Sequence, residues 1–207
     1  MAAHPAPAIE FPMGDGLISS SWSNFWSIFH WNQVVNGYSG IAPPGYYPFR
    51  DRMKAFPAPD TIRLLQGIGV RTVVYHARST DPSADGAMLA RIRQVPQLHE
   101  VVGGPDYVFT LAADPWLLRL AQTVPRGQAV ALPELERDPA TFGMLAAILQ
   151  RDGHTVYGNG RLDYWQLTPA PPRVCYSVLP DGTAPQDASS FAQGGGLTLY
   201  YKRGCER

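Results

Sequence analysis

Side chains able to do chemistry fall into three groups in this sequence. The densest is HWNQVVNGYSG at 30–40, which gathers His30, Trp31, Asn36 and Tyr38 around an Asn-Gly pair. Trp22 and Trp26 stand just upstream and Tyr46 just downstream. Tyr and Trp rings pack on the C–H faces of sugars while Asn and His bond hydroxyls, so this set suits a carbohydrate platform. The same residues suit a packed turn, with the rings in a core and Asn36-Gly37 supplying backbone geometry. The second group is His76, which closes the strand-like run VRTVVYH and precedes Arg78. Strand ends are where α/β sheets place ligands, and a His near an Arg suits an anion; a capped or solvent-facing His is the plainer alternative. The third is Glu10, in AIEFPM. A carboxylate in an apolar strand can be a base or the partner of a buried Arg, or it can face water from an edge strand. A hydrolase reading would use His30 or His76 with Glu10, and it requires a carboxylate and a His within about 3 Å in a pocket.

Several chemistries are excluded by what is missing. There is no G-x-S-x-G elbow, P-loop, H-E-x-x-H or G-x-G-x-x-G. Asp15, Asp51 and Asp81 form no paired metal motif, and neither metal nor cofactor is expected. Cys175 and Cys205 each adjoin a strand-like run, with no histidine spacing for zinc. A bridge between them would tie the C-terminal tail to a sheet and contribute about 3 kcal/mol. It would suit an oxidising compartment.

The elements that must position these residues read as alternating helices and strands. AIEFPM is a short strand, 19–31 an aromatic helix and FRDRMKAF a short helix. PAPDTIRLLQG is a helix capped by Asp60 and ended by Gly67 or Gly69, followed by a β-branched strand at 70–76. A helix is expected over 83–98, then two short strands around Gly103-Gly104-Pro105. PWLLRLAQTVP is a helix and QAVALPE a strand; DPATFGMLAAILQRDG is a helix with an Asp138 cap, Pro139 at its first position and Gly153 at its end. HTVYG, YWQLT, VCYSVL and LTLYYKR are strands, and 181–196 reads as a flexible loop. The pattern implies a single α/β domain over 1–207, a mixed central sheet with flanking helices. The alternative is two similar halves, 1–112 and 113–207. A faint echo supports it: AIEFP and AVALP each precede a helix, a His (His30, His154) and an Asn-Gly pair.

The chain has 207 residues, 45% of them hydrophobic, enough for a core. Lys+Arg and Asp+Glu are both 17, so no basic field exists to hold nucleic acid. Charged residues are only 16%, and with zero net charge this favours association with another surface. No apolar run approaches the roughly 20 residues that span a bilayer, and MAAHPAPAIEF has no signal-peptide pattern. Taken as written, the chain would be cytoplasmic.

Read in order, IEFP, the aromatic helix, HWNQVVNGYSG, Pro43-Pro44 and LLQGIGVRTVVYH resemble a known family. They look like the soluble extracytoplasmic domain of bacterial multi-pass glycosyltransferases of the GT-C type. The match is dense over 8–76 and thinner beyond. The resemblance implies an extracytoplasmic, periplasmic-face location and a membrane-embedded partner that handles lipid-linked sugars. The family's catalytic carboxylate lies in the membrane part, so no catalytic residue carries over. Only His30, Trp31, Asn36, Gly37, Tyr38, Ser39, Gly40, Pro43 and Pro44 do. The chain then is an excised domain or a subunit, an accessory that docks on a membrane protein or contacts glycan. A carbohydrate-binding module and an independent hydrolase are the alternatives.

Overall fold

The computed structural model describes residues 7–13, 35, 45–77, 82–104, 106–162, 165–171 and 173–205. The fold is α/β, but with two mixed sheets in place of one central sheet. The chain divides into two compact units, 1–42 with 53–115 and 43–52 with 116–207.

In the first unit the strand order is β1-β2-β4-β3, from β1 (Ala8–Phe11), β2 (Thr72–His76), β3 (Leu98–Val102) and β4 (Asp106–Leu111). β1 runs parallel to β2, and β4 is antiparallel to both β2 and β3. Between β1 and β2 lie α1 (Tyr46–Met53), which falls largely in the second unit, and α2 (Pro59–Gly67). Pro59 occupies the first turn of α2, where a missing N–H costs nothing. The N-cap is Ala58, with no side-chain cap; Asp60 sits inside the first turn, where it faces the positive helix end. Ile68 is the C-cap, and Gly69 adopts φ 86°. The amides of Gly69 and Val70 return to the carbonyls of Gln66 and Leu65 at 2.9 Å each, which satisfies the helix end and launches β2.

Helix α3 (Pro82–Arg93) stops short of the expected residue 98. Pro96 disfavours helical backbone at Val95, and Gln94 and Val95 make only tight last-turn bonds. Arg93 then grips Glu100 of β3 with both Nε and Nη2, at 2.7 and 3.2 Å. Ile9, Val73, Phe109, Leu65 and Ile92 are fully buried, and Phe11 stacks on Phe56 with ring centroids 4.0 Å apart.

The second unit has strand order β10-β11-β9-β5-β6, from β5 (Ala129–Leu132), β6 (Thr155–Gly158), β9 (Tyr176–Pro180), β10 (Ala188–Gly194) and β11 (Leu197–Lys202). β7 (Gly160–Leu162) and β8 (Trp165–Leu167) form a separate hairpin. α4 spans Trp116–Gln122 and α5 spans Pro139–Arg151. Asp138 caps α5 as expected, accepting from the Thr141 amide at 3.1 Å, and also takes Arg52 of α1 at 2.7 Å. The end of α5 repeats that of α2: Gly153 at φ 86°, with His154 N–H returning to the Leu149 carbonyl at 2.9 Å.

One expectation is corrected here. Residues 181–196 are not a flexible loop throughout, because 188–194 pair with β11. Gly195 and Gly196, at φ 62° and 78°, form the two-residue turn of a hairpin, a geometry that fits the strand twist. The two units share a strand order: β1-β2-β4-β3 of the first matches β5-β9-β11-β10 of the second, with one parallel and two antiparallel pairings in each, and the second adds β6 beyond β5. Among the described strands β1 is the outermost of its sheet, and its Ala8 carbonyl accepts from the Val35 amide at 2.8 Å.

Gly45 opens α1 at φ 76°, and a Cβ there would lie 2.5 Å from the Gly143 Cα of α5. Gly127 has the same φ with nothing within 4 Å of its would-be Cβ. Gly127→Ala should therefore cost about 1 kcal/mol of backbone strain. Gly45→Ala should cost about 3 kcal/mol, because two backbones must also part. Chemical denaturation of both variants reads the difference; equal losses would refute the close approach.

Candidate functional site

Register brings a histidine and two carboxylates together at the end of β2. His76 is paired directly with Asp106, the first residue of β4. Glu10 of β1 is paired with Val74, and a strand's two-residue period puts Val74 and His76 on one face. His76 Nδ1 lies 2.7 Å from Asp106 Oδ1, and its Nε2 lies 3.4 Å from Glu10 Oε2. The Glu10 side chain is 5% exposed, His76 20% and Asp106 40%.

The electrostatics follow from that gradient. The hydrogen bond to Glu10 is the largest influence and raises the His76 pKa above the usual histidine value. Burial pulls the other way, and the hydrogen bond and charge of Asp106 add to the rise. Glu10 is the more distant partner, yet its field is the less screened because it is buried. The favoured form is an imidazolium that donates from both nitrogens, one to each carboxylate.

Adjacent strand residues point to opposite faces, so Tyr75 meets a different partner. Its hydroxyl donates to Asp85 Oδ1 of α3 at 2.7 Å, in a buried setting. Burial first, and then the bond and charge of Asp85, push the Tyr75 pKa up to about 12. The phenol is thus a fixed donor that joins α3 to the core face of the sheet.

A general base needs an unprotonated nitrogen turned to its substrate. His76 has its proton affinity raised and both nitrogens turned to carboxylates. The arrangement favours the protonated ring and joins β1, β2 and β4. Among the described residues, no group of His, Cys, Asp and Glu is placed to hold a metal ion.

Of the residues the sequence singles out, the structure unites Glu10 and His76, and Glu10 is buried, where an edge position in water is one expectation. Cys175 and Cys205 are bonded as a disulfide that closes a separation of 30 residues. Tyr46 cannot be a binding platform: it is 4% exposed, edge-on to Tyr47 at 5.6 Å. The Asn-Gly motif residues His30, Trp31, Asn36 and Tyr38 lie outside the described residues, as do Trp22, Trp26, Gly37, Ser39, Gly40, Pro43, Pro44 and Arg78. His154 is a buried core histidine whose Nδ1 lies 3.1 Å from the Gln128 carbonyl oxygen. Asp106 and Asp85 escape the sequence reading. Asp106 opens DYVFTL, but nothing local says that this strand pairs with β2.

No protein-family model, curated protein or solved structure matches the chain.

Because folding raises the His76 pKa, its stabilisation is complete below about 6.5, the ordinary value, and fades as pH rises through the folded-state pKa. Urea unfolding across that window should show stability falling with pH in the natural chain. His76→Gln should flatten that fall. Equal slopes in the two proteins would contradict the assignment.

Proposed function

We propose that the chain is an interaction domain without chemistry of its own, related to the soluble extracytoplasmic part of GT-C type membrane glycosyltransferases. It docks on a membrane-embedded partner and contacts glycan. The observation that carries the absence of chemistry is the double engagement of His76. The hydrolase alternative asks for a His–carboxylate pair near 3 Å, and His76–Asp106 meets that distance. Against it, both ring nitrogens of His76 already face carboxylates, which leaves neither turned to a substrate.

The extracytoplasmic side is supported by the Cys175–Cys205 disulfide, since such bonds persist in oxidising compartments. No helix among the described residues is long and apolar enough to cross a membrane, so contact with the bilayer would run through a partner or another part of a longer chain. A carbohydrate-binding module remains the second reading, carried by the Trp and Tyr cluster at 22–38, but it loses Tyr46 from its platform.

The test is photo-cross-linking in cells from the exposed Val101 and Phe191. The expected product joins these positions to a polytopic membrane polypeptide, in the same chain or another. Adducts with soluble proteins alone would overturn the docking claim. Turnover of a saccharide or ester by the purified chain, abolished in His76→Gln, would overturn the claim that it lacks chemistry.

A further inference from the structure

The first unit carries an open groove of about 540 Å³, away from His76. That size lies within the roughly 300–1,000 Å³ of small-molecule sites. Its walls come from α2, from the turn joining α3 to β3, and from the residues after β4. Pro57, Ile62 and Val95 contribute apolar surface, and Pro57 and Ile62 are themselves buried. Around them stand the carboxamides of Gln66, Gln94 and Gln97.

A carboxamide both donates and accepts, as a hydroxyl does, so three of them suit a ligand with several hydroxyls. Arg63 and Asp114 also line the groove, and their charges cancel. The lining therefore gives an anionic ligand no net attraction and favours a neutral one. The apolar surface suits the C–H face of a sugar ring. Gln66 is set in advance, because its Nε2 donates to the Ala112 carbonyl at 2.8 Å, which reduces the ordering cost of binding.

We propose that this groove is a binding site for a neutral saccharide, with Gln66, Gln94 and Gln97 as its hydroxyl-bonding side chains. The inference rests on the reading of the chain as a glycan-contacting domain, and it names where that contact is made.

The side-chain amide signals of these glutamines in nitrogen-15 NMR test it directly. The probes are neutral oligosaccharides of glucose, mannose, galactose and N-acetylglucosamine, with glucuronate as the anionic control. At least one neutral sugar should shift the three amide pairs together in a saturable manner. Gln94 and Gln97 are exposed, so the double variant Gln94→Ala/Gln97→Ala should keep its backbone spectrum and lose the saturable response of Gln66. No shift with any neutral sugar, an equal response to glucuronate, or an unchanged Gln66 response in the variant would each overturn the proposal. If the cells yield membrane cross-links while these amides stay still, the saccharide site falls and the docking role stands; sugar binding without membrane cross-links has the reverse meaning.

Discussion

The ion cluster of Glu10, His76 and Asp106 spans three of the four strands in the first sheet. Strand β1 is the outermost described strand of the sheet and contributes only four residues. Its ladder with β2 is therefore short, and the Glu10 contact adds a side-chain link at the point where the ladder ends. Removing His76 would leave two carboxylates near each other in a partly dry setting, where like charges are costly. On the opposite face Tyr75 and Asp85 anchor α3 by the same kind of charge-assisted bond. Two consecutive residues of one strand thus fix both layers around it.

A histidine set between two carboxylates gains proton affinity and links the strands that carry them. On the proposed reading, reactive groups belong to a membrane-embedded partner, and this domain supplies surface: an apolar-floored groove rimmed by carboxamides, and a disulfide that ties β9 to the end of the chain.

Much of the fold was legible because punctuation is local. Pro59 and Pro139 mark helix starts, and Gly69 and Gly153 mark helix ends with left-handed backbone that glycine alone adopts cheaply. The β-branched and aromatic runs became strands where expected. What stayed hidden is non-local. No sequence feature says that β4 inserts between β2 and β3, and that insertion is what delivers Asp106 to His76. The second sheet repeats the strand order of the first, β5-β9-β11-β10 against β1-β2-β4-β3, a likeness at which the sequence echo only hints. Gly194-Gly195-Gly196 looked like slack, whereas it closes a hairpin. Tyr46 looked like a sugar platform because a short helix does not reveal which side is buried.

The account stands most directly on the protonation of His76, which long-range proton–nitrogen NMR of the imidazole ring reads without a variant. A midpoint above 6.5, with both ring nitrogens protonated below it, is what two flanking carboxylates require. A midpoint at or below 6.5, or a single protonated nitrogen at pH about 6, would leave a neutral imidazole able to accept a proton and would contradict the account.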